Sequence, residues 1–366
     1  MKTRAAVLWR AREPVEILEV DLAPPQAGEV LVEMAACGVC ASDVHVVDGE
    51  LPEPLPIVLG HEAAGVVAET GPGVEHLEPG DHVVLALVPS CGRCRPCRRG
   101  RPNFCELGGR MAATGTLADG TSRLSVNGTT LHHFNSVSSL AEHAVVPESA
   151  AVAIRRDVPL EIAALFGCAV VTGYGAVVNT ARVAPGSSVA VWGCGGVGLN
   201  VVQAARLAGA ATIIAIDVDR EKLAAAARFG ATSLVAAQEE DPVRAVREAT
   251  GLGADYAFEA IGREDTVRQA WEAARAGGTV VVVGMIPKGQ TLTIDPWHFI
   301  YEKTLKGCFL GSARIAIDIP RLADLYADGR FQLDELVSHR LTLDELPGAL
   351  DRLRAGEGIR QVVVFD

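Results

Sequence analysis

The chain has 366 residues, 49% of them hydrophobic and 5% aromatic, with a formal net charge of −12 and a pI near 5.3. That much Ala, Val, Leu and Gly argues against disorder and for a globular protein of two or three domains. The acidic balance disfavours non-specific binding to nucleic acid or anionic membranes. No apolar run reaches the ~18 residues that span a bilayer. Residues 1–10 carry basic side chains without the apolar stretch of a secretion signal, so a cytoplasmic chain without a membrane segment is expected.

Residues 1 to about 90 read as β-rich. Ala5–Trp9, Glu29–Met34, Ala64–Glu69 and His82–Leu85 are short β-branched runs, punctuated by Pro24-Pro25, Gly71-Pro72-Gly73 and Pro79-Gly80-Asp81. Residues 91–139 form a polar, glycine-rich excursion in which Asn127-Gly128 predicts a hairpin. From about residue 170 strands and helices alternate. Strands are expected at 188–192, 212–217, 233–236, 256–259, 279–284 and 305–310, with helices over 196–208, 219–229, 242–250 and 265–276 between them. This alternation means a parallel sheet covered on both faces. Beyond it, helices at 320–327 and 343–354 and a strand at 361–365 are too few to fold alone and should return to the first domain. The expected organisation is therefore α/β. Residues 1–170 and 311–366 form a β-rich domain, and residues 171–310 form a doubly wound dinucleotide-binding domain.

Gly193-Cys194-Gly195-Gly196-Val197-Gly198 fits G-x-G-x-x-G between an apolar strand and a helix, and Asp217 ends the next strand. Gly193 permits the tight turn, Gly195 lets backbone approach a pyrophosphate, and Gly198 allows close helix–strand packing. The helix N-terminus at Gly196 offers free N–H groups to phosphates. Asp217 would accept bonds from the adenosine ribose and repel a 2′-phosphate, which predicts NAD over NADP, although Arg220 and Lys222 nearby could relax that preference.

Nine cysteines are too few for a disulfide scaffold in a chain this long. Cys91-x2-Cys94-x2-Cys97-x7-Cys105 is the spacing of one closed, structural zinc site. Arginines 93, 95, 98, 99 and 101 interleave these ligands; with few aromatic residues for stacking and an acidic chain, they read as a solvated rim rather than a nucleic-acid surface. Cys40 and His61 are also zinc-type donors, with Cys168 the best third. Three protein ligands would leave a fourth position open, the mark of a catalytic zinc. Spacing alone leaves these three equally readable as a ligand set or as buried structural residues.

Cys40-x-Ser42-Asp43, Gly60-His61-Glu62-x-x-Gly65, the four-cysteine lobe, Gly167-Cys168-x-x-x-Thr172-Gly173-Tyr174-Gly175 and the dinucleotide glycines follow one another along the whole chain. In this order they resemble the zinc-dependent medium-chain alcohol dehydrogenases, and residues 119–134 look like the longer-loop branch that includes liver-type and formaldehyde dehydrogenases. The resemblance implies a GroES-like catalytic domain, a Rossmann coenzyme domain, two zinc ions per subunit and NAD. It implies that Cys40, His61 and Cys168 bind the catalytic zinc, that Asp43 orients His61, and that Glu62 lies behind the metal. Ser42 would bond the alcohol, and His45 would end a proton relay running through Ser42 and the nicotinamide ribose. Thr172 and Val197 would pack on the nicotinamide, Arg360 would reach the pyrophosphate, and Arg263 would lie near the coenzyme, as would Lys222.

The family's substrate channel corresponds here to Ser42, Leu51, Leu87, Phe134, Asn135, Met285 and Phe309, a mostly apolar lining that suits an aliphatic or aromatic primary alcohol or its aldehyde. Ala41 stands where relatives often carry Arg or His, which implies weaker NAD binding. Glu50 and Arg110 raise the alternative of an S-(hydroxymethyl)thiol (formaldehyde) dehydrogenase; the usual exposure of such residues favours two solvated side chains instead. Relatives are homodimers or homotetramers, and residues 280–283 and 291–294 are plausible pairing edges.

Overall fold

The β-branched runs near the N-terminus become strands because alternate side chains enter a common core. In the computed structural model, which describes residues 1–365, they belong to a unit made of Met1–Ala169 and the chain from Arg314 onward. Lys2–Leu8, Glu16–Leu22, Leu124–Val126, Thr129–His133 and Ile57–Val58 close a small barrel. Asn127 (φ 49°) and Gly128 (φ 79°) turn one of its hairpins, with Val126 opposite Thr129. A second sheet is centred on the long strand Glu29–Val39, which pairs antiparallel with Ala63–Thr70, His143–Pro147 and Arg360–Val364. Val30, Val32, Met34, Leu59, Leu85, Val146 and Leu346 share the core under it.

The C-terminal return starts at Arg314 rather than at residue 311. Gly311 (φ 62°) lies so close to Gly175 that a Cβ on Gly175 would meet the Gly311 carbonyl oxygen at 2.2 Å, which ties residues 310–312 to the other unit. The helix expected from Pro320 is Ile315–Ala327. The Asp318 carboxylate accepts the Arg314 N–H at 2.9 Å and organises an earlier first turn, so that Pro320 costs the helix a single internal hydrogen bond.

The second unit, Val170–Ala313, carries six parallel strands in the order Ser233–Ala236, Thr212–Asp217, Ser188–Trp192, Ala254–Glu259, Ala274–Val282, Thr304–Gly307. This is the 3-2-1-4-5-6 order of the dinucleotide-binding fold, with its switch point at the end of Ser188–Trp192. Residues 280–283 are not a pairing edge: Ala274–Val282 lies inside the sheet, and Thr304–Gly307 is the outer strand. Residues 291–294 form no strand. Among the described residues, no single helix is long and apolar enough to cross a membrane.

Candidate active site

Cys40 leaves the strand Glu29–Val39 and caps the helix Ala41–Val47; His61 precedes the strand Ala63–Thr70; Cys168 joins two short helices. All three are buried, and their donor atoms lie within 4.8 Å of one another. The sulfurs of Cys40 and Cys168 are 4.0 Å apart. Two thiolates on one tetrahedral zinc stand about 3.8 Å apart, so the pair is spaced for a shared ion.

The clamp that brings Cys40 to His61 is Asp43. Its fully buried carboxylate accepts the Cys40 N–H at 3.0 Å and the Gly60 N–H at 3.1 Å, and Oδ1 faces His61 Nδ1 at 3.4 Å. Gly60 (φ 94°) makes that turn possible, since a Cβ there would meet the Leu140 nitrogen at 2.1 Å. Phe134 stands edge-on to the His61 ring at 5.1 Å.

Of the two buried ring nitrogens of His61, Nδ1 faces Asp43 and Nε2 makes no hydrogen bond. A buried polar atom left unpaired costs about 1–3 kcal/mol, so the site is built for another bond there. The hydrogen bond between the thiols holds Cys40 well below the usual thiol range, against the effect of burial, and pushes Cys168 well above it. Burial alone would lower His61, but the Asp43 and Cys40 charges push it up to about 10. Thiols and an imidazole must give up protons to ligate a divalent ion, so metal binding here would release protons. The donor set fits zinc.

Glu62 is fully buried behind the cluster. It accepts the Ala169 N–H at 3.2 Å through Oε1, and Arg360 Nη2 bonds its Oε2. A Cβ on Gly38 would meet Glu62 Cδ at 2.9 Å, so only glycine leaves room for this carboxylate. Arg360 is buried on the strand Arg360–Val364. Its protein partner is therefore the carboxylate behind the donor set.

In the lobe, the sulfurs of Cys91, Cys94, Cys97 and Cys105 also lie within 4.8 Å of one another. Burial opposes ionisation of Cys91, but backbone N–H groups at Arg93 and Cys94 pull it down to about 6; Cys97 is pushed up to about 12 by burial and by Cys94. Four sulfurs converging without disulfides match a closed site. Arg93, Arg95, Arg98, Arg99 and Arg101 are all exposed around it.

In the second unit Gly193 adopts φ 89°, and a Cβ on Gly198 would sit 1.7 Å from the Gly193 carbonyl oxygen. A Cβ on Gly195 would meet nothing within 4 Å, which leaves its backbone open to a ligand. Gly196 begins a twelve-residue helix, Gly196–Leu207. Asp217 accepts the Cys194 N–H at 2.6 Å and so holds the glycine turn from the adjacent strand end. Gly173 packs where a Cβ would meet the Val197 carbonyl oxygen at 2.6 Å, which brings the segment of Thr172 against Val197. Arg263 caps the helix Glu264–Ala273 and pairs with Asp265 at 2.9 Å; Lys222 lies 3.9 Å from Asp219.

Two family profiles match: "Alcohol dehydrogenase GroES-like domain" over residues 26–156 and "Zinc-binding dehydrogenase" over residues 196–328. Among solved structures, an alcohol dehydrogenase zinc-binding domain protein from Burkholderia ambifaria superposes with TM-score 0.96 at 37% identity, covering 100% of this chain and 99% of its own. Benzyl alcohol dehydrogenase from Acinetobacter calcoaceticus gives 0.95 at 34%, with both chains covered in full at 100%. A zinc-binding dehydrogenase from Sinorhizobium meliloti, solved with NADP, gives 0.83 at 30%, again with 100% of each chain covered. The chain belongs to the zinc-dependent medium-chain alcohol dehydrogenases.

In this dehydrogenase, Ser42 Oγ lies 3.9 Å from Cys40 Sγ, and His45 follows three residues later on the same helix. Ala41 is exposed at the start of that helix. Leu51 and Leu87 are half-buried, as is Asn135, while Met285 and Phe309 are exposed on the second unit. Phe134 has no accessible surface and packs against His61.

Sequence reasoning missed two partners. Glu50 bonds His45 and is not simply solvated. Glu259 accepts the N–H groups of Ile261 and Gly262 at 3.0 and 2.7 Å and the Thr266 hydroxyl at 2.8 Å, which fixes the loop carrying Arg263. Its signal was available: an acidic residue ends an apolar parallel strand, as Asp217 does.

Proposed function

We propose that this dehydrogenase catalyses the reversible oxidation of a primary alcohol, aromatic or aliphatic, to its aldehyde, with NAD as acceptor and two zinc ions per subunit. The observation that carries the reading is the buried Cys40, His61, Cys168 set, which offers three donors and leaves a fourth position for substrate. Bound zinc supplies Lewis acidity that favours loss of the hydroxyl proton, and NAD supplies the hydride acceptor. Ser42 holds the alcohol hydroxyl and takes its proton onward, His45 carries it to water, and Asp43 keeps the His61 ring in place. Gly195 and the N-terminus of Gly196–Leu207 receive the pyrophosphate, and Asp217 receives the ribose.

NAD is favoured over NADP because Asp217 ends the second strand and Arg220 is engaged elsewhere, with Nε on Glu239 at 2.9 Å. The apolar Leu51, Leu87, Met285 and Phe309, and the likeness to a benzyl alcohol dehydrogenase, support an uncharged substrate. Glu50, engaged with His45, offers no free anchor for a charged thiol adduct, which weighs against the formaldehyde reading. The outer strand Thr304–Gly307, with Trp297, Phe299, Ile300 and Tyr301 at least half exposed beside it in sequence, supports assembly with a second copy through this unit.

The test is NADH absorbance with primary, secondary and aromatic alcohols, with NAD or NADP, and with or without added thiols. Thiol-independent reduction of NAD by benzyl or aliphatic primary alcohols is expected. Inactivity across the panel, or strictly thiol-dependent formaldehyde turnover, would overturn the assignment.

A further inference from the structure

His45 sits on the helix Ala41–Val47 three residues after Ser42, so both share one face. Its side chain is 25% exposed, which suits a group that meets water. Beyond the helix the chain turns back on itself. The His45 carbonyl accepts the N–H of Glu50 at 2.8 Å and that of Leu51 at 2.9 Å, and Gly49 takes φ 73°. Leu51 packs on the core, and Arg354 holds Asp48 at 2.7 Å while Arg12 reaches the Asp48 carbonyl. This built turn delivers the Glu50 carboxylate to His45 Nδ1 at 2.5 Å. Asp48, the neighbouring carboxylate of this turn, is held by Arg354, so Glu50 is the carboxylate that meets the ring.

We infer that Glu50 is a positioning residue for proton release: it fixes the tautomer and orientation of His45 so that the ring accepts a proton at Nε2. This rests on the reading of His45 as the proton exit. A carboxylate can only accept, so the hydrogen on the neutral ring resides on Nδ1 and Nε2 carries the free lone pair. The proton leaving the substrate hydroxyl by way of Ser42 arrives at that lone pair, while the C–H electron pair departs as hydride. The ring, now doubly protonated, makes a charge-assisted bond to Glu50 and returns the Nε2 proton to water. Glu50 accepts throughout and neither gains nor loses a proton.

The test compares wild type, Glu50→Gln and His45→Gln. In 15N-edited NMR of the metal-loaded protein, with the His45 signals assigned by their loss in His45→Gln, wild type shows the Nδ1–H tautomer and Glu50→Gln a mixture of both. In steady-state oxidation, Glu50→Gln lowers kcat about tenfold, a fraction of the ~10²–10⁴ attributable to a positioned acid–base group. KM for the alcohol stays the same, and imidazole added to the buffer restores most of the lost rate. An unchanged tautomer and kcat in Glu50→Gln, beside a large loss in His45→Gln, would overturn the role of Glu50. No loss in His45→Gln would overturn the proton-exit reading itself, and the inference with it.

Discussion

Replacing Arg360 by Met tests whether this residue belongs first to Glu62. The Glu62 carboxylate has no accessible surface and Arg360 is 6% exposed. With the guanidinium gone, Glu62 keeps only the Ala169 N–H at 3.2 Å among its bonds. Removing one partner of such a buried pair leaves an uncompensated charge and costs about 3–5 kcal/mol. Folded domains are stable by ~5–15 kcal/mol in total, so the loss is large. Urea unfolding of the apoprotein should show it directly, and the double variant Glu62→Gln/Arg360→Met should recover part of it by removing the stranded charge. Were Arg360 held in reserve for coenzyme alone, apoprotein stability would move by less than about 1 kcal/mol, as for an ordinary surface cation. That outcome would refute the argument.

Four further outcomes follow from the same geometry. With the four-cysteine lobe already loaded, zinc entering the Cys40, His61, Cys168 site at pH 8 should release about two protons, read by calorimetry in buffers of different ionisation enthalpy, because His61 and Cys168 are both held protonated. Gly195→Ala should leave the melting temperature near wild type while weakening NADH binding at least about tenfold by fluorescence titration. Gly198→Ala, whose Cβ would collide with the Gly193 carbonyl, should lose stability as well. Burial holds His133 down at about 3, and its Nε2 accepts the Arg123 N–H at 3.1 Å. A depressed histidine favours the neutral folded form, so its contribution is complete above pH 6.5 and disappears as pH falls toward 3. His133→Gln should flatten the acid limb of the stability curve over that window.

The coenzyme unit was legible because each strand and helix there carries its own period and the glycine turn marks the switch point. The first unit was harder. Ala151–Ala153 and Ile57–Val58 are too short to signal strands, and Ala41–Val47 is a two-turn helix whose cap is set by Asp43 and the distant Gly60. Glu106–Thr114 lay hidden in a glycine-rich stretch because its burial rests on Gly108 and Met111 alone. The donor residues could be named from spacing and family likeness, but not their partners. Arg360 on Glu62 and Glu50 on His45 depend on a contact between residues 298 apart in one case and on a turn after a short helix in the other. The edge-on packing of the buried Phe134 ring on His61 is another such partner that spacing could not show.

The central claim is that Cys40, His61 and Cys168 hold a zinc on which turnover depends, separate from the four-cysteine lobe. The most direct measurement is zinc content per subunit, by atomic emission, in wild type and Cys40→Ser, each assayed for alcohol-dependent NADH formation. Two zinc ions in wild type, with one ion and no turnover in Cys40→Ser, are predicted. A Cys40→Ser protein that keeps both zinc and full activity would contradict the account.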